Sequence, residues 1–207
     1  MKTVEVKVQL TEEMLGTASG NKNVHSEFIA SKAPDAQKME EEIAAIGVDA
    51  EIDKTMTVFP KDKNGDPIIW NYQIEGFLKE AFGTLKNVQS SPCYKMTSYK
   101  KKVDNYIFVV ERSIKLCDKE LIGNCQRPLR AETMQGPRVA LANSETVPAG
   151  VEFTFHVTFL DESLMNATKA AFEYGMFKGF GQWRNSAKGR FKVVSFETID
   201  DVLTPEQ

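Results

Sequence analysis

The chain has 207 residues, 42% of them hydrophobic, enough for one substantial core or two small ones sharing an interface. A formal net charge of −3 excludes nucleic-acid binding by bulk charge, so any such contact has to come from a local patch. The three cysteines (Cys93, Cys117, Cys125) and two histidines (His25, His156) fit neither a disulfide framework nor a zinc site, which points to free thiols in a reducing cytoplasm with no metal and no cofactor.

Val4, Val6, Val8 and Leu10 alternate with Glu5, Lys7 and Gln9, the period-two pattern of a strand with one buried face. This charged strand does not read as a signal peptide, and no apolar run approaches the ~18 residues of a membrane helix. Residues 11–71 are polar and irregular and read as an insertion. They hold an acidic helical piece at 39–46 and a turn at Asn64, Gly65, Asp66 and Pro67. The acids Glu40, Glu41, Glu42, Asp49, Glu51 and Asp53 cluster in that insertion.

From 72 to 85, Ile74, Phe77, Leu78, Ala81, Phe82 and Leu85 recur at helical spacing and predict a helix packed on a sheet. Residues 94–102 and 106–111 then read as a hairpin turning at Asp104 and Asn105. The lysine run Lys100, Lys101 and Lys102, flanked by Tyr94 and Tyr99, is either a binding track or a charged, protected edge. Pro128, Gly136, Pro137 and Pro148 punctuate 124–147, which reads as a loop or short ribbon whose Arg127, Arg130 and Arg138 have no obvious local partners.

Val151, Phe153, Phe155, Val157 and Phe159 form the cleanest alternation in the chain and place His156 on the polar face, where a structural or solvated role is expected. Asp161 reads as an N-cap, 164–174 as a helix and 190–196 as the last strand. The order strand, helix, hairpin, strand, helix, strand predicts an α+β fold of ferredoxin-like type. In it an antiparallel sheet carries two helices, residues 1–207 form one domain, and 11–71 is a loop-rich subregion.

The loop at 175–194 carries the chemistry. It holds Gly179, Gly181 and Gly189, the aromatics Phe177, Phe180 and Trp183, and the cations Lys178, Arg184, Lys188, Arg190 and Lys192, without one acid. Glycine lets backbone N–H groups approach a ligand, cations attract phosphate, and an indole offers a face to a base. Single-stranded nucleic acid satisfies all three, with Gly179, Gly181, Trp183, Arg184, Lys188, Arg190 and Lys100–Lys102 as binding candidates. The plainer alternative is a helix-ending loop with Trp183 packed beneath it and the cations solvated.

Four segments carry a resemblance to a known superfamily: 10–20 (LTEEMLGTASG), 73–81 (QIEGFLKEA), 145–155 (ETVPAGVEFTF) and 179–191 (GFGQWRNSAKGRF). Together they resemble the repeat-associated mysterious proteins (RAMPs), the RNA-binding and RNA-processing subunits of CRISPR effector complexes. Departures from the family pattern stand at Glu75, where it has proline, at Phe77 and Leu78, where it has a serine pair, and at Ala187, where it has glycine. They suggest a diverged, free-standing member of the kind a phage or mobile element encodes.

The resemblance implies binding of single-stranded RNA through the glycine-bearing loop and the neighbouring sheet face or a thumb-like insertion. Three functions compete. The first is a non-catalytic module that binds single-stranded RNA or DNA, within a CRISPR-type complex or interfering with one. The second is a metal-independent endoribonuclease with His25 as general base; Asp35 is a further candidate, because another branch of the superfamily uses an aspartate with a divalent ion. The third is a protein-binding inhibitor that mimics a CRISPR subunit and uses the acidic insertion to occupy a partner's RNA groove. No Walker loop, dinucleotide fingerprint, zinc-spaced Cys/His set or nucleophile elbow is present. The sequence implies no membrane partner and leaves the oligomeric state open.

Overall fold

β1 (Lys2–Leu10) forms where the alternation is strict, with Val4, Val6, Val8 and Leu10 buried on one face. The computed structural model describes residues 1–20, 56–133 and 136–205, with side-chain detail outside 129–141. Within them a four-stranded antiparallel sheet runs in the order β11 (Phe191–Ile199), β1, β10 (Glu152–Phe159) and β6 (Ile107–Val109). Its register sets Val4 against Val157, Val6 against Phe155 and Val8 against Phe153. A slip by one residue would turn all of these away from the core, so burial fixes the pairing.

Two helices cover that apolar face. α1 (Asn71–Leu85) buries Ile74, Phe77, Leu78, Ala81 and Phe82, a stripe at helical spacing. Residues 99–106 form α2 (Tyr99–Tyr106), and α3 (Met165–Glu173) buries Ala167, Thr168, Ala171 and Phe172. Phe172 of α3 meets Phe155 of β10 edge-on at 5.5 Å, and Phe77 of α1 lies 5.3 Å from Phe191 of β11. Asp161 accepts the Ser163 N–H at 3.0 Å and so caps the 3₁₀ turn Glu162–Leu164 that leads into α3.

The predicted hairpin at 94–111 is corrected: its first arm is α2, and only 107–109 is strand. The lysine run supplies no buried period-two face. A helix needs only Val103 inside, and α1 supports it from the side. Asp104 pairs with Lys79, and the Tyr99 ring packs where Gly83 of α1 leaves room.

The 124–147 segment is longer and more regular than its prolines suggest. β8 (Gly123–Thr133) and β9 (Gly136–Val147) pair continuously from Gly123↔Thr146 to Thr133↔Gly136, a ribbon about 35 Å long at the usual rise per residue. β8 pairs with β9 alone among the described strands, so Pro128 sits on an edge strand, where proline is tolerated.

Part of the 11–71 segment is also ordered into short strands: β2 (Met14–Leu15), β3 (Ala18–Ser19), β4 (Thr57–Val58) and β5 (Ile68–Trp70). β2 and β4 both pair with β9, and β5 pairs with β7 (Ser113–Lys115). The expected helical piece at 39–46, the acids from Glu40 to Asp53, His25 and Asp35 lie outside the described residues.

The open face of the main sheet is polar and paired. Lys7 bridges to Glu152 at 2.7 Å, and the His156 ring is held by Glu111 with Glu5 3.6 Å beyond, the structural role expected of it. Leu203, past β11, returns across this face: its N–H donates to Thr3 Oγ1 at 2.9 Å and its carbonyl accepts from Thr158 Oγ1 at 2.7 Å. No helix among the described residues is long and apolar enough to cross a membrane.

Candidate nucleic-acid interface

The loop between α3 and β11 is shaped by its glycines, but for its own closure. A Cβ on Gly179 would stand 1.9 Å from the Gly189 carbonyl oxygen, and one on Gly189 would stand 1.9 Å from that of Phe180. The neck closes through Phe180 N–H donating to the Gly189 carbonyl at 3.0 Å. Gly181 has φ +78° and passes so close to the Leu15 carbonyl that a Cβ there would sit 2.6 Å from its oxygen. Close backbone approaches therefore require glycine at 179 and 181, and both positions also line the cleft described below.

Three of the five loop cations are likewise engaged. Glu80 of α1 takes Arg184 at 2.5 Å and Lys178 at 3.0 Å, and Glu13 takes Lys188 at 2.6 Å. Burial is the largest single influence on the Glu80 carboxyl and would raise it. The hydrogen bonds and charges of Arg184 and Lys178 together outweigh burial and hold it below the ordinary carboxylate range. The absence of acids within the loop thus overstates its charge, because two acids far away in sequence, Glu80 and Glu13, fold onto it and offset two of its five positive charges. Arg190 and Lys192 take no carboxylate among the described residues.

The aromatics divide three ways. Phe180 is core, stacked on Phe191 with centroids 4.4 Å apart. Phe177 is 68% exposed at the loop's entrance. Trp183 is 40% exposed and carries the Arg127 guanidinium over its ring at 4.5 Å. Its backbone is left-handed (φ 56°, ψ 34°), a conformation that costs a bulky residue about 1–2 kcal/mol. Ala187 is left-handed as well (φ 68°), at the position where the resembled family has glycine.

Between this loop, α1 and the β2–β3 turn lies a cleft of about 330 Å³, lined by Thr17, Ile69, Gln73, Gly76, Phe77, Glu80, Gly179, Phe180, Gly181 and Arg184. Phe77 and Phe180 make an aromatic floor, and Gln73 donates to Thr17 Oγ1 at 3.0 Å on one wall. Three of the four resembling segments, 10–20, 73–81 and 179–191, meet in this one cleft. The fourth, 145–155, supports it: Glu145 accepts the Gly16 N–H on its carbonyl at 2.9 Å and binds Lys61 on its carboxylate at 2.9 Å.

A chain in the cryo-EM structure of the Type III-B Cmr-beta bound to cognate target RNA has the same fold. The two superpose with a TM-score of 0.59 at 10% identity, over 96% of the present chain and 60% of that one, so the present chain spans about three fifths of its neighbour's length. No protein-family model and no curated protein matches the sequence.

On this fold the remaining candidates separate. Lys100 and Lys101 line a different groove, with Lys86, Met96 and Tyr99, and none of Lys100, Lys101 and Lys102 lines the cleft. The charge of Lys102 contributes to holding the Asp161 carboxyl below its usual range, behind the Ser163 hydrogen bonds. His25 and Asp35 lie outside the described residues. Arg127, which sequence reasoning left without a role, is brought to Trp183; its lack of local partners was the available signal. Glu13 and Glu80 carried none, since an acid's distant partners leave no local pattern.

Proposed function

We propose that the protein is a RAMP-like module, a single domain with a ferredoxin-like core, that binds single-stranded RNA without cleaving it and acts in the cytoplasm within a CRISPR-type effector or in competition with its subunits. The observation that carries this reading is the convergence of the four resembling segments on and around one cleft, on a fold shared with a chain of an RNA-bound complex. The element order around the main sheet supports the ferredoxin-like core: strand, helix, strand, strand, helix, strand, arranged β11-β1-β10-β6. An aromatic floor beneath polar walls suits a splayed base better than a duplex.

Because Glu13 and Glu80 hold three of the five loop cations in ion pairs and offset two of their charges, stacking and shape contribute to affinity beside charge. The test is fluorescence anisotropy of labelled single-stranded RNA, and of a duplex of the same sequence, between 50 and 200 mM salt. Two phosphate contacts from the loop, by Arg190 and Lys192, contribute about −1.4 to the slope of log K against log[salt]. A slope near about −3.5, which all five loop cations would produce, refutes the charge accounting. Preference for the duplex, or no retention of the single strand, overturns the proposed function.

A further inference from the structure

Among the described residues, Arg127 and Trp183 form a pair in which both partners break a local rule. Arg127 stands on β8 opposite Ala142 and is only 9% exposed, yet its Nε and Nη1 have no hydrogen-bond partner among the described residues. A buried guanidinium without acceptors is costly, and the indole face beneath or above it attracts the charge but accepts none of these N–H groups well. Trp183 pairs with it from a strained left-handed backbone and keeps 40% of its surface exposed, so the indole is the outer member of the stack. No carboxylate pairs with Arg127 among the described residues; Glu80 holds Lys178 and Arg184, and Glu13 holds Lys188. Two locally unfavourable choices, made by segments far apart in sequence, meet at one point beside the cleft.

We infer that Arg127 and Trp183 are a one-nucleotide site of the single-stranded RNA, with the phosphate accepting the buried N–H groups of Arg127 and the base stacking on the exposed indole. Trp183 shifts as the phosphate enters, because it covers the guanidinium. A nucleotide is the smallest ligand class that supplies both the acceptor and the stacking face; an inorganic anion lacks the second, and a nucleoside lacks the first. The ribbon thus adds a phosphate contact to those of Arg190 and Lys192 in the glycine-bearing loop. This inference rests on the RNA-binding reading above.

The experiment uses labelled hexauridylate and the whole chain, with two readouts. Anisotropy reports binding. Acrylamide quenching of tryptophan emission reports the site, because the neutral quencher reaches Trp183 at 40% exposure and not Trp70 at 6%. Saturating hexauridylate is expected to shield Trp183 from acrylamide. Arg127→Met is expected to raise the Kd about tenfold, the worth of a charge-assisted contact, while Lys169→Gln at an exposed position of α3 leaves it unchanged. Binding with unaltered Trp183 quenching, or an unchanged Kd in a folded Arg127→Met protein, overturns the site and leaves RNA binding standing. Absence of any anisotropy change in the wild type overturns both. The quenching arm needs no variant, so misfolding of Arg127→Met does not shield the inference.

Discussion

Gly76 offers the sharpest separation of stability from function. It is exposed within α1, on the wall of the cleft, and a Cβ added there meets nothing within 4 Å. Glycine inside a helix costs about 1 kcal/mol relative to alanine, and no packing contact here repays it. Gly76→Ala should therefore stabilise the fold by about 0.5–1 kcal/mol, partly by restricting the unfolded chain. For a chain of this size that raises Tm by about 1–4 °C. The same methyl projects into the cleft where a strand would approach bare helix backbone, and overpacking a well-fitted contact costs about 1–3 kcal/mol, so the Kd for single-stranded RNA should rise about tenfold. Calorimetry and anisotropy on one preparation read the two effects. A fall in Tm would show that Gly76 has a packing role. A rise in Tm with unchanged RNA affinity would show that the strand does not approach α1 and would refute the cleft as its path.

Gly179→Ala should act in the opposite direction, because its Cβ would overlap the Gly189 carbonyl: a loss of about 3 kcal/mol or more, seen as a Tm lower by roughly 6–12 °C. Glu80→Gln removes the shared partner of Lys178 and Arg184 and should cost about 0.5–1 kcal/mol at neutral pH, discounted because the pair is about one-third exposed to solvent. The folded-state carboxyl is held below its unfolded value, so the Glu80 contribution is complete above about pH 4.3 and disappears as pH falls through the folded value. Thermal melts of both proteins should accordingly differ at pH 7 and converge toward pH 3. A difference that grows on acidification would contradict this.

Elements whose signal is periodic and local are legible in the chain alone. The alternations around Val4 and Phe155 and the helical stripes at Ile74 and Phe172 each state a buried face within a few residues, and each is where the structure has it. The sequence also marked the four segments that surround the cleft. Tertiary structure decided what local pattern does not encode. Lysines 100–102 became helical because α1 supports Tyr99 and Asp104, and the prolines of 124–147 were accommodated because β8 lies at an edge. The acid-free loop is partly neutralised by Glu80, 104 residues from Arg184, and by Glu13, 175 residues from Lys188. An ion pair between such distant residues depends on how the backbone is folded, so the charge of a surface is a property of the fold, whereas the face a strand buries is written in the strand itself.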